Sequence, residues 1–149
     1  MQLRLKYPPT PEAAPKHAAL CVCAALLLND IELDYSVESL ELLDGLLDRL
    51  HRDGVPAEQV AEVLFAFGCY VGEVFVRHAG AGWCRTEGTS MEGVTGFPLL
   101  IQLGPQRYCN PLGKVFKRLA EGGEHALPSF YALFSRREAP ARDFLYDRH

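Results

Sequence analysis

Apolar residues recur along the chain with two periods, and the change of period divides it. Ala18–Leu28 is an uninterrupted apolar run of eleven residues. Pro15 suits the first turn of a helix, and the pattern predicts one running to about Asn29. Being apolar almost all round, that helix is expected to lie centrally. Ser36 reads as an N-cap with Glu38 in the first turn of a second helix. Val37, Leu40, Leu43, Leu47 and Leu50 form its buried stripe, and Asp53-Gly54 ends it. Val55-Pro56 opens a third helix, at about residues 57–79, with two adjoining apolar faces. Val60, Leu64, Phe67, Val71, Val74 and His78 share one face, while Phe65, Cys69, Gly72 and Val76 share the other. Two such faces predict deep burial.

Beyond Gly80-Ala81-Gly82 the period shortens. Phe97–Leu103 reads as a strand, Gly104-Pro105-Gln106 as a turn and Arg107-Tyr108-Cys109 as the returning strand. Trp83-Cys84-Arg85 is placed in the same small sheet, and residues 86–96 are read as a loop. Leu3, Leu5 and Tyr7 suggest a further short strand, and Ile31, Leu33 and Tyr35 form either a linker or a short edge strand. Asn110-Pro111 caps a fourth helix that buries Val115, Phe116 and Leu119 and leaves Lys114, Lys117 and Arg118 wet. Gly122-Gly123 ends it, and Pro128-Ser129 begins a short final helix. The predicted class is α+β: four to five helices packed with a small antiparallel sheet. One globular domain is expected over residues 1–135, with a charged tail over 136–149.

At 149 residues, 48% hydrophobic, the chain can form a core without metals or disulfides. Cys21, Cys23, Cys69, Cys84 and Cys109 are odd in number, which suits reduced thiols in a cytoplasm. The Ala18–Leu28 run falls short of the ~20 residues a membrane span requires. Pro8, Pro9, Pro11, Glu12 and Pro15 precede it and no small-residue cleavage site follows, so a buried helix is expected rather than a signal segment. The net charge of −4 is unevenly placed: −9 over residues 30–73, +2 before them and +3 after. No region is basic enough to suggest nucleic-acid binding. The acidic middle is suited to a basic protein partner.

Glu73 is the residue of greatest chemical interest. A carboxylate inside an apolar helix must pair, protonate or face a cleft, and Arg77 stands at i+4. The leading reading is a structural Glu73–Arg77 pair, or Glu73 tying down a neighbouring backbone N–H; the rival expectation is a ligand pocket or enzyme site near Glu73, Arg77, His78 and Trp83. Gly68 and Gly72 make a flat stripe for a close neighbour, for which the alanine-rich first helix is the expected partner. His17, Cys21 and Cys23 are read as buried small residues rather than as a metal half-site: Cys21 and Cys23 lie ~200° apart around the helix, and the other cysteines supply no second half. No nucleophile elbow, P-loop, dinucleotide fingerprint or HExxH occurs. Nothing in the sequence places Cys84 and His78 as nucleophile and base. No cofactor is called for. Asp34, Glu38, Glu41, Asp44 and Asp48 fall mostly opposite the leucine stripe, as a solvated face or a docking surface.

Three segments together resemble a group of small bacterial proteins of unknown function, over roughly residues 31–134. They are Leu33-Asp34-Tyr35-Ser36-Val37-Glu38-Ser39-Leu40, then Gly68-x-Tyr70-x-Gly72-Glu73-Val74 with Trp83 downstream, then Asn110-Pro111-x-x-Lys114-Val115-x-Lys117-Arg118-Leu119. The resemblance implies no activity; the role it suggests is that of an immunity or accessory protein beside a secreted toxin. The leading expectation is thus a non-enzymatic cytoplasmic binding domain that engages a basic partner through its acidic second helix.

Overall fold

A computed structural model describes residues 4–136. Its elements are α1 (Ala14–Asn29), α2 (Ser39–Arg52), α3 (Ala61–His78), β1 (Gly82–Arg85), β2 (Leu99–Gly104), β3 (Arg107–Cys109), α4 (Pro111–Glu121) and α5 (Leu127–Phe134). The class is α+β, with five helices against a three-stranded antiparallel sheet of order β1-β2-β3. The tail segment 137–149 and Leu3 lie outside the described residues. Leu5 and Tyr7 form no strand, because the prolines that follow turn the chain instead of extending it.

The third helix is the centre of the fold. Thirteen of its eighteen residues are buried, as its two adjoining apolar faces predict. A single turn of 3-10 helix, Ala57–Gln59, precedes it, and Val60 (φ −128°) breaks the continuity. The sheet splits its apolar residues by alternation. Leu99, Ile101 and Cys109 join the main core, while Leu100, Tyr108, Met91 and Cys84 form a second cluster on the opposite face. Trp83 pairs with Ile101 and belongs to the face that meets α3.

Further expectations about the helices and their connector change. The first concerns α1, which is peripheral rather than central. Only its narrow stripe of Ala14, His17, Ala18, Cys21 and Ala25 is buried, whereas Leu26, Leu27 and Leu28 are 44%, 76% and 76% exposed. Second, of the two readings of the segment 31–35, linker or edge strand, the linker holds. Tyr35 takes a left-handed conformation (φ 64°), which stops extension, and its N–H donates to the Tyr70 hydroxyl at 2.7 Å. Third, the second helix begins at Ser39, later than the Ser36 cap predicted. Ser36 still does a cap's work, its Oγ accepting the Ser39 N–H at 3.1 Å.

The fourth correction is to the glycine stripe of α3, which does not face α1. A Cβ on Gly68 would lie 2.8 Å from the Cα of Leu112 in α4, and one on Gly72 would overlap the Trp83 ring. These two glycines let α4 and the only tryptophan of the chain approach the helix backbone. Gly72→Ala is accordingly expected to destabilise the fold by about 1–3 kcal/mol through overpacking. Gly45→Ala, at an exposed position in α2 with nothing within 4 Å of the added methyl, is expected to stabilise by up to about 1 kcal/mol. Paired denaturant titrations check both signs.

Candidate functional site

The residues proposed as a pocket do converge, but as a clamp. Trp83 Nε1–H donates to Glu73 Oε2 at 2.9 Å, and Arg77 Nε stands 3.7 Å from Oε1. The Glu73 side chain is 7% exposed. Both oxygens thus face intramolecular partners, as a buried carboxylate requires. The Arg77 guanidinium also lies 3.5 Å over the Tyr35 ring, which stacks on Tyr70 at 4.8 Å. His78 Nε2–H donates to the Tyr35 carbonyl at 2.9 Å, fixing the tautomer. Ser39 Oγ–H donates to Ser36 O, so Tyr70 O–H is the donor toward Ser39 Oγ at 2.6 Å. The end of α3 therefore holds the α1–α2 connector on one side and β1 on the other. Trp83 also borders a wide-open depression with Gly80, Gln102 and Pro105, whose walls do not include Glu73, Arg77 or His78.

The acidic helix divides into two parts. Asp44 and Asp48 sit on the shoulder of α2 that meets α4, where Arg118 reaches both. Arg118 Nε donates to Asp44 Oδ1 at 2.9 Å, and its Nη2 donates to Asp44 Oδ2 at 3.1 Å and to Asp48 Oδ1 at 3.0 Å. Asp44 Oδ1 also accepts the Leu127 N–H that opens α5. Arg118, expected to be wet, has a side chain only 4% exposed, and its Nη1 finds no partner among the described residues. Its burial follows from the two carboxylates that a single period-3.6 stripe cannot reveal. Hydrogen bonding from Arg118 holds the Asp48 carboxyl below its ordinary 3.8.

Asp34, Glu38 and Glu41 occupy the other part and are exposed. Asp34 caps the connector, its Oδ1 accepting the Ser36 N–H at 3.0 Å, and hydrogen bonds from Ser36 hold its carboxyl low. Among the described residues no cation pairs with Glu38 or Glu41, and Leu42 beside them is 46% exposed.

Thiol chemistry finds little support. Burial pushes the Cys21, Cys69 and Cys84 thiols up, away from the thiolate a nucleophile or metal ligand requires. His17 Nε2–H donates to Pro8 O at 3.0 Å, and its ring packs edge-on against Phe65. Glu121, Glu124 and His125 come together on the surface. There His125 accepts from the Lys114 ammonium on Nδ1 and donates to Glu121 from Nε2, so its ring already has two partners.

One feature escaped the sequence reading. A groove of about 410 Å³ lies between residues 91–97 and α4, with Val94, Phe97, Asn110, Phe116, Lys117 and Glu121 in its walls. Its signal was the apolar pair Met91 and Val94 inside a polar loop. The Asn110 amide is already engaged, donating to Thr95 Oγ1 and accepting from Gly113 N–H, both at 3.0 Å. Compared with known protein families, curated proteins and solved structures, the chain matches none.

Removal of Arg118 leaves Asp44 facing an apolar gap. Arg118→Met is expected to lower stability by about 3 kcal/mol at neutral pH. The Asp48 carboxyl is depressed in the folded state, so its contribution is present above pH 3.8 and is lost as pH falls through the lower folded value. The gap between wild type and variant should therefore narrow below about pH 3.8 in denaturant titrations run across that range.

Proposed function

We propose that the chain is a non-enzymatic, cytoplasmic protein-binding domain that engages a basic partner through the start of its second helix. The observation that carries this reading is the contrast within one acidic helix. Asp44 and Asp48 are neutralised internally by Arg118, whereas Glu38 and Glu41 stay exposed and unpaired among the described residues, beside exposed Leu42 and the carboxylate of Asp34. Uncompensated carboxylates around a single apolar side chain suit a rim that steers a cationic surface toward a small apolar contact. Its most specific form is an immunity or accessory protein acting on a basic toxin surface.

No helix among the described residues is long and apolar enough to cross a membrane. Free thiols at Cys21, Cys23, Cys69 and Cys84 support a reducing compartment. The rival reading, a small-ligand or catalytic pocket at Glu73, draws no support from geometry that gives both carboxylate oxygens to Trp83 and Arg77.

The test is affinity capture from the native cell, followed by titration of the captured basic protein. Glu38→Lys with Glu41→Lys should weaken it by about ten-fold or more at low salt. Reversal of Glu87 and Glu92, in the loop between β1 and β2, changes the net charge equally and should leave affinity near wild type. Equal loss in both pairs would mean that only net charge matters, and no loss in either would end the reading.

A further inference from the structure

We infer that the exposed face of α1 docks against α1 of a second copy, antiparallel, about a two-fold axis at Cys23. The inference goes beyond the proposed function and uses a different face of the molecule.

The buried stripe of α1 runs through Ala14, Ala18, Cys21 and Ala25, and the opposite side centres on Cys23. Ala19, Cys23, Leu26 and Leu27 are exposed there, and Leu20 is half-buried. Soluble helices normally present polar residues on such a side, yet the first charges met are Lys16 at one end and Asp30 at the other. Within α1 the positions 16, 19/20, 23 and 26/27 recur every 3.5 residues on average, the spacing of a helix–helix seam, and Asp30, the left-handed C-cap residue, follows just beyond the helix end.

The stripe is also symmetric about its middle. An antiparallel copy centred at Cys23 sets Lys16 against Asp30, Ala19 against Leu27 and Leu20 against Leu26. Ala19 then makes room for Leu27, the two leucines of each remaining pair pack together, and each end gains an ion pair. A parallel copy would instead place Lys16 on Lys16 and Asp30 on Asp30. Charge complementarity therefore selects a second copy in the antiparallel sense. Lys16 keeps a contact with the Tyr7 ring, at 5.5 Å, which holds it at the end of the stripe.

The patch is smaller than the ~20–30 residues per side of a standard interface, so the dimer is concentration-dependent. Two helix axes ~8–10 Å apart, each with Cα atoms at a radius of ~2.3 Å, bring the facing Cys23 Cα atoms to about 3.4–5.4 Å. The upper part of that range overlaps the ~4.4–6.8 Å span of a disulfide. Cys23 is also the exposed member of the cysteine set, Cys84 being half-buried and the others buried.

The experiment is light scattering of the full chain under reducing conditions, from about 1 µM to about 1 mM. The mass is expected to rise from 16.5 kDa toward twice that value. Leu27→Glu, at a site already 76% exposed, should abolish the rise while far-UV circular dichroism and Tm stay at wild-type values. Lys16→Glu sets like charges opposite each other and should raise the midpoint concentration about ten-fold at low salt. Diamide supplies the register. It accepts two electrons and two protons as two Cys23 thiols join, giving a covalent dimer that Cys23→Ser removes and Cys84→Ser retains. A monomer throughout, a dimer that survives Leu27→Glu, or a cross-link that depends on Cys84 would each overturn the proposal.

Discussion

A helix that is apolar on nearly every side can exist in water only if other elements cover it completely, and α3 imposes that requirement on everything around it. Each neighbour meets it through a surface of matching depth. Small residues of α1 lie along one flank, Leu112 of α4 fits over Gly68, the Trp83 ring fits over Gly72, and Tyr35 stacks on Tyr70. Each fully buried Leu or Phe in this arrangement contributes roughly 1.5–3 kcal/mol relative to exposure. The two glycines determine which partners come close, because only a position without Cβ admits an indole or a helix backbone at that range.

Wrapping α3 draws charged groups out of water, and the fold answers each with hydrogen bonds. Glu73 is met by Trp83 and Arg77, and Arg118 by Asp44 and Asp48. The two clusters serve different joints. The first ties β1 and the connector to α3, while the second ties α4 to α2 and, through the Leu127 N–H, to the start of α5. Such pairs are poor sources of net stability, since desolvation offsets their attraction, but they are expensive to break on one side only. They work as locks on the relative placement of elements.

This use of charge inside the molecule decides what remains outside. Glu73, for which pairing and a pocket were both open, and two of the five acids read as a solvated face or a docking surface are engaged internally. Among the described residues, the carboxylates at the start of α2 and the bare apolar side of α1 are two surfaces whose chemistry the fold itself does not use. They are of opposite character, one suited to long-range steering by charge and the other to short-range packing of apolar side chains.

The sequence by itself determined the class, the order of elements and the limits of most helices, because those follow from periodicity and from Pro, Gly, Ser and Asn at the ends. Asn110 before Pro111 and Gly54 after Asp53 were readable in this way, and the burial of α3 was readable from its two apolar faces. What the tertiary structure alone decided was who faces whom. Periodicity assigns a residue to a side of its own helix and carries no information about the element opposite. Arg118 therefore looked wet until α2 brought two aspartates to it. The glycines of α3 looked like a seat for α1 until Leu112 and Trp83 took that place. The apolar run of α1 looked central until only its alanine stripe found a partner. Glu73 announced that it needed partners, but only the return of β1 beside α3 supplied the indole that satisfies it.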